Sequence, residues 1–164
     1  MSIEATFAAF MLPFVVPICL YVVYTDLAYM KITNRAVLAL AAVFVFVGFF
    51  LLPLDTYLWR LGAIPLALVF GIALNAGGAM GAGDAKFIAA GAPFVALGDL
   101  RLLMMLFMAT LLAAFLTHRF GKYTPLRRLA PQWESWTRGK KFPMGLALGP
   151  CLALYLALGA LHGA

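Results

Sequence analysis

Charged residues are scarce in this chain. Only 11% of its 164 residues are Asp, Glu, Lys or Arg, against roughly 25% in a typical soluble domain. Hydrophobic residues make up 65%, and mean hydropathy is +1.01. A 17.7 kDa globule has no interior that can hide so much apolar surface, so lipid must cover it. That excludes a soluble domain and predicts a single integral membrane domain over residues 1–164.

Cysteine is nearly missing as well. Cys19 and Cys151 both lie in apolar runs, with no C-x-x-C pair and no His nearby, which supports neither a zinc site nor a disulfide framework. Both read as small buried hydrophobes. His118 has no metal-ligand spacing and reads as solvated. No metal, no cofactor and no nucleic-acid partner is expected. The start of the chain lacks the basic residues of a secretory signal, since its first charge is Glu4. It reads as a permanent span with the amino terminus outside.

What is present is a series of apolar runs cut by charge and by Pro/Gly clusters. They predict an all-α polytopic fold of six transmembrane helices: Ala5 to Tyr24, Ala36 to Leu52, Tyr57 to Ala76, Asp84 to Leu97, Leu102 to Thr117 and Phe142 to Leu161. The connections after spans one, three and five carry Lys31, Arg35, Lys86, Arg119, Lys122, Arg127, Arg128, Arg138, Lys140 and Lys141. Arg60 and Arg101 fall on the other side, so the first group is expected in the cytoplasm and both termini outside. Residues 118–141 form a basic cytoplasmic loop, which with Trp133 and Trp136 suits anionic headgroups. Glu4, Asp55 and Asp99 are expected on the outer side, where Asp55 and Asp99 should be dispensable for activity.

The fourth span is short. Fourteen residues give roughly 21 Å of helix against a ~30 Å hydrocarbon core. Pro93 lies inside it, and the preceding run from Asn75 to Gly83 is too rich in Gly for a stable helix. Non-helical backbone at this depth is tolerated only against protein or a wet cavity. Asp84 is therefore expected in a water-accessible recess on the cytoplasmic side.

Asp26 and Asp84 each stand at the edge of a membrane-length apolar segment. A carboxylate there costs ~2.5–3.5 kcal/mol, which makes it a candidate functional group. Two that meet in a low-dielectric site can divide acid and base roles. Each has a plainer reading: Asp84 as a helix cap, Asp26 as an interfacial partner of Lys31 or Arg35. Gly81 and Gly83 allow positive φ and close backbone approach beside Asp84. Lys86, two residues on, faces away from Asp84 and is free for an acidic group of a substrate or a headgroup. Asn34 either orients Asp26 or caps span two. Gly145 and Gly149 read as a close-packing G-x-x-x-G pair. The position of Asp26 at a helix C-terminus, against Asp84 at an N-terminus, suggests that Asp26 carries the proton of the pair.

Asp26 with Ile32-Thr33-Asn34, Gly81-Ala-Gly83-Asp84-Ala-Lys86-Phe87, and Phe142-Pro143-Met144-Gly145 together resemble the type IV prepilin peptidases, a family of GxGD aspartic membrane proteases. The resemblance implies that Asp26 and Asp84 are catalytic, with Gly81, Gly83, Lys86 and Asn34 supporting them. It implies cytoplasmic-side removal of the basic leader from prepilin or pseudopilin precursors, in the inner membrane. Family members usually have Ile-Pro-Asn where this chain has Ile32-Thr33-Asn34. Without paired C-x-x-C motifs or an N-methylating region, the chain is similar to the short forms of tight-adherence (Flp) pilus systems and of archaeal preflagellin processing. The competing class is a small transporter relaying protons through the two aspartates. It requires polar residues across the bilayer, and the middles of spans one, two, five and six offer almost none.

Overall fold

The computed structural model describes residues 1–138 and 141–164; Lys140 of the basic connection lies outside the described residues. Among these the architecture is all helical. The helices are α1 (Ala5–Tyr29), α2 (Asn34–Leu51), α3 (Leu54–Ala76), α4 (Ala82–Gly91), α5 (Leu100–Tyr123) and α6 (Gly145–His162). All but α4 are long and apolar enough to cross a membrane. Their outer faces carry exposed large side chains, including Phe50, Leu66, Phe70, Met108 and Leu161, as a lipid-facing surface requires.

α6 is the most enclosed helix and packs along α1 on one side and α5 on the other. α2 joins α1 to α4, and α3 packs on α4. Small residues make these contacts close. A Cβ added at Gly149 would stand 3.0 Å from the Cys19 carbonyl oxygen, and one at Gly71 2.8 Å from the Ala85 Cβ. The expected packing role of Gly149 is realised, and both cysteines are buried thiols.

Helix ends depart from the apolar runs for local reasons. α1 continues past Tyr24 because nothing breaks it before Met30, which takes the left-handed conformation (φ 50°) and donates its N–H to the Asp26 carbonyl at 2.9 Å. α5 continues through His118 and Arg119 to Tyr123, since charge ends an apolar run without ending a helix. In α2 the turn Phe44–Gly48 is a π-helix, and the Tyr57 hydroxyl donates to the Val45 carbonyl within it at 3.1 Å. Phe44, fully buried, stacks on Tyr57 at 5.6 Å and meets Phe94 edge-on at 5.5 Å.

The expected fourth span is a ten-residue helix, roughly 15 Å long. It gives way to 3-10 turns at Ala92–Phe94 and Leu97–Asp99, because Pro93 has no N–H to continue the ladder. The non-helical stretch before it is confined to Gly77–Gly81, with positive φ at Gly78 alone (73°). Gly81 is extended at φ −71° and Gly83 is helical, so the positive φ expected at those two positions is absent.

Asp99 has a structural role that the sequence does not signal. It is 5% exposed, and its carboxylate accepts the N–H of Ser2 (2.7 Å), the N–H of Ile3 (3.0 Å) and the Tyr155 hydroxyl (3.0 Å). It ties the α1 and α6 ends to the start of α5. In an Asn at 99 the amide NH2 must face one of those donors, and charge-assisted bonds of this kind contribute about 1.5–3 kcal/mol each. Asp99→Asn is expected to lower the melting temperature in detergent by several degrees, while exposed Asp55→Asn leaves it unchanged. Equal melting of the two variants would contradict this role.

Candidate active site

Asp26 lies in the last turn of α1, 5% exposed, between Thr25 and the left-handed Met30. Its Oδ2 accepts the Gly145 N–H at 2.6 Å. Gly145 is the first residue of α6, where backbone N–H groups have no partner inside the helix. Buried Pro143 precedes it and helps to set that starting point. The closeness requires glycine: an added Cβ would stand 3.0 Å from both the Cβ and Oδ2 of Asp26 and 3.1 Å from Val22. The sequence reading assigned Gly145 to packing alone. Its hydrogen bond to a residue 119 positions away was missed, though the Pro143-x-Gly145 signal marks the place.

Asp84 is the third residue of α4, half-buried, and its Oδ2 accepts the Gly81 N–H at 3.2 Å. Gly81, not Asp84, is the N-cap of α4; Asp84 reaches back from the third helical position to the Gly81 N–H, which leaves its other carboxylate oxygen free of any partner among the described residues.

The two motifs interlock beside the carboxylates. Ile32 is buried against Gly83, where an added Cβ would lie 3.3 Å from the Ile32 Cβ. Gly81 and Gly83 thus serve close approach, the first to the Asp84 side chain and the second to the α1–α2 turn. Thr33 caps α2 by accepting the Ala36 N–H at 3.3 Å, so the capping role expected of Asn34 falls to its neighbour. Asn34 instead accepts from the Lys86 ammonium at 3.1 Å, bracing α2 against α4. Among the described residues neither Asp26 nor Asp84 forms an ion pair, so pairing of Asp26 with Lys31 or Arg35 is not realised. We expect Gly83→Val to force the Ile32 turn away from α4 and reduce activity at least about tenfold, with Gly83→Ala intermediate. Full activity in Gly83→Val, measured on the same substrate, would show the contact to be dispensable.

The chain after α5 folds back over this bundle. His118, expected to be solvated, is 7% exposed, stacked on Trp136 at 5.1 Å and edge-on to Phe142 at 5.9 Å. Trp136, expected at the interface, is buried and donates its indole N–H to the Ala130 carbonyl at 2.8 Å. Aromatic neighbours outweigh hydration here because two rings, Trp136 and Phe142, pack against the imidazole. The turn Glu134–Trp136 packs on α1.

A family model described as the type IV leader peptidase family matches residues 13–118, which include both aspartates and both interlocking motifs. The chain belongs to the type IV leader peptidase family. No curated protein and no solved structure is a match for it. The matched segment ends at His118, so the Gly145 N–H that holds Asp26 lies beyond the part by which this leader peptidase is identified.

Proposed function

We propose that this leader peptidase is an aspartic endopeptidase that removes the basic leader of prepilin-like precursors at the cytoplasmic face of the inner membrane. The observation that carries the reading is the packing of Gly83 on Ile32, which brings Asp84 and Asp26, 58 positions apart, to one end of the bundle. General acid–base chemistry suits such a pair: one carboxylate takes a proton from water while the other, protonated, polarises the scissile carbonyl. Asp26, more deeply buried, carries the proton, and Asp84, with its free oxygen, activates the water. The dipole argument for this division is weaker than the sequence suggested, because the N-terminus of α6 offsets the C-terminus of α1 at Asp26. Burial is what separates the two carboxylates.

Sidedness follows from charge. Lys31, Arg35 and Lys86 surround the Asp26 and Asp84 end, while Arg101 lies at the opposite end beside Asp99. A six-crossing layout is supported by the path of residues 82–99. This segment starts against Ile32 at the carboxylate end and reaches Asp99, which is bonded to Ser2 and Ile3 at the other. The 3-10 turns and extended residues after α4 rise faster per residue than α-helix and so cover the same thickness. The test is incubation of the purified protein in detergent with prepilin and pseudopilin precursors, including those of Flp type. Mass spectrometry should register loss of a basic leader at one bond. Intact precursors under conditions where the protein remains folded would reject the reading.

A further inference from the structure

The basic end of α5 carries a second site. Tyr123, Thr124, Pro125, Arg127, Arg128 and Pro131 line an open cleft of about 430 Å³. The Thr124 Oγ1 is buried with no hydrogen-bond partner among the described residues. Arg127 and Arg128 are exposed, and neither forms an ion pair among the described residues. Their backbone is held compact: the Arg127 N–H donates to the Thr124 carbonyl at 3.2 Å, and the Ala130 N–H to the Arg127 carbonyl at 3.3 Å. Arg119 is occupied on its own helix, donating to the Tyr123 hydroxyl at 3.1 Å and lying over the Phe115 ring at 5.2 Å. That contact braces the tyrosine wall of the cleft.

We propose that this cleft binds the phosphodiester headgroup of an anionic phospholipid. Two exposed guanidinium groups match the acceptor oxygens of a phosphate, and arginine favours bidentate recognition of that geometry. The surroundings fit a lipid rather than a free ion. Tyr123, 72% exposed, lines the cleft, and Phe120 and Leu129, nearby in the chain at 64% and 83% exposure, offer apolar surface to the upper acyl chains. The cleft sits where α5 leaves its apolar span, the level at which headgroups lie. The site is independent of the peptidase assignment.

Native mass spectrometry of the delipidated protein in detergent tests it, with added phosphatidylglycerol, phosphatidylcholine or inorganic phosphate. Phosphatidylglycerol adducts should exceed phosphatidylcholine adducts. Arg127→Gln with Arg128→Gln should cut their occupancy at least about tenfold. Lys31→Gln with Arg35→Gln, which removes the same charge elsewhere, should leave the adducts in place. Equal binding of the two lipids, or unchanged binding by the double arginine variant, would overturn the proposal. So would an inorganic phosphate adduct that forms while no lipid adduct does. Melting curves of each variant confirm that occupancy is compared between folded proteins.

Discussion

Asp26→Asn and Asp84→Asn are each expected to abolish leader cleavage, with losses at least as large as the roughly 10²–10⁴-fold that one positioned acid or base contributes. The fold survives both changes for reasons visible at each site. An Asn at 26 still accepts the Gly145 N–H through its amide oxygen, and an Asn at 84 still accepts the Gly81 N–H. What each loses is the capacity to exchange a proton. The double variant should be no worse than either single one, because residues that act as a unit are not additive. Leader removal followed by mass spectrometry, alongside melting curves, measures this. Near wild-type turnover in either single variant would remove that aspartate from the chemistry.

Gly145→Ala is the second large effect expected. The new methyl would meet the Asp26 Cβ and Oδ2 at 3.0 Å and Val22 at 3.1 Å, so α6 must shift away from α1 or Asp26 must rotate. Either movement, by a few tenths of an ångström, lengthens or misaligns the 2.6 Å hydrogen bond that orients the carboxylate. A displacement of about 1 Å at a reacting group can cost on the order of 10²-fold in rate. A smaller shift should therefore lower turnover by up to about tenfold, with a smaller proportional change in melting temperature. Gly62→Ala is the control, since a Cβ there meets nothing within 4 Å. It should be neutral or slightly stabilising, as alanine is the better helix former. Equal activity of Gly145→Ala and Gly62→Ala would show that Gly145 serves α1–α6 packing alone.

Several features were legible in the residues because they are local. The apolar runs account for the five long helices, and the Gly-rich segment with Pro93 accounts for a fourth helix too short to cross unaided. Others were ambiguous at short range. Thr33 and Asn34 are both good capping residues, and the choice fell to Thr33 because its hydroxyl meets the Ala36 N–H, freeing Asn34 for Lys86. His118 looked solvated and Trp136 interfacial because the connection that holds them is basic, yet each is buried against other rings.

The sequence by itself determined that this is a membrane protein, that Asp26 and Asp84 are its unusual carboxylates, and which motifs flank them. Those properties follow from composition and spacing, since a charge beside an apolar run is costly wherever the run packs. Only the tertiary structure decided what each polar group meets. Asp99 became a structural hub because α1 brings the Ser2 and Ile3 N–H groups to it and α6 brings Tyr155. Asp26 gained the Gly145 N–H because α6 lies close enough to α1 for a glycine and no larger residue. Hydrogen bonds act over a few ångströms, and contacts between residues about a hundred positions apart exist only once the helices are packed.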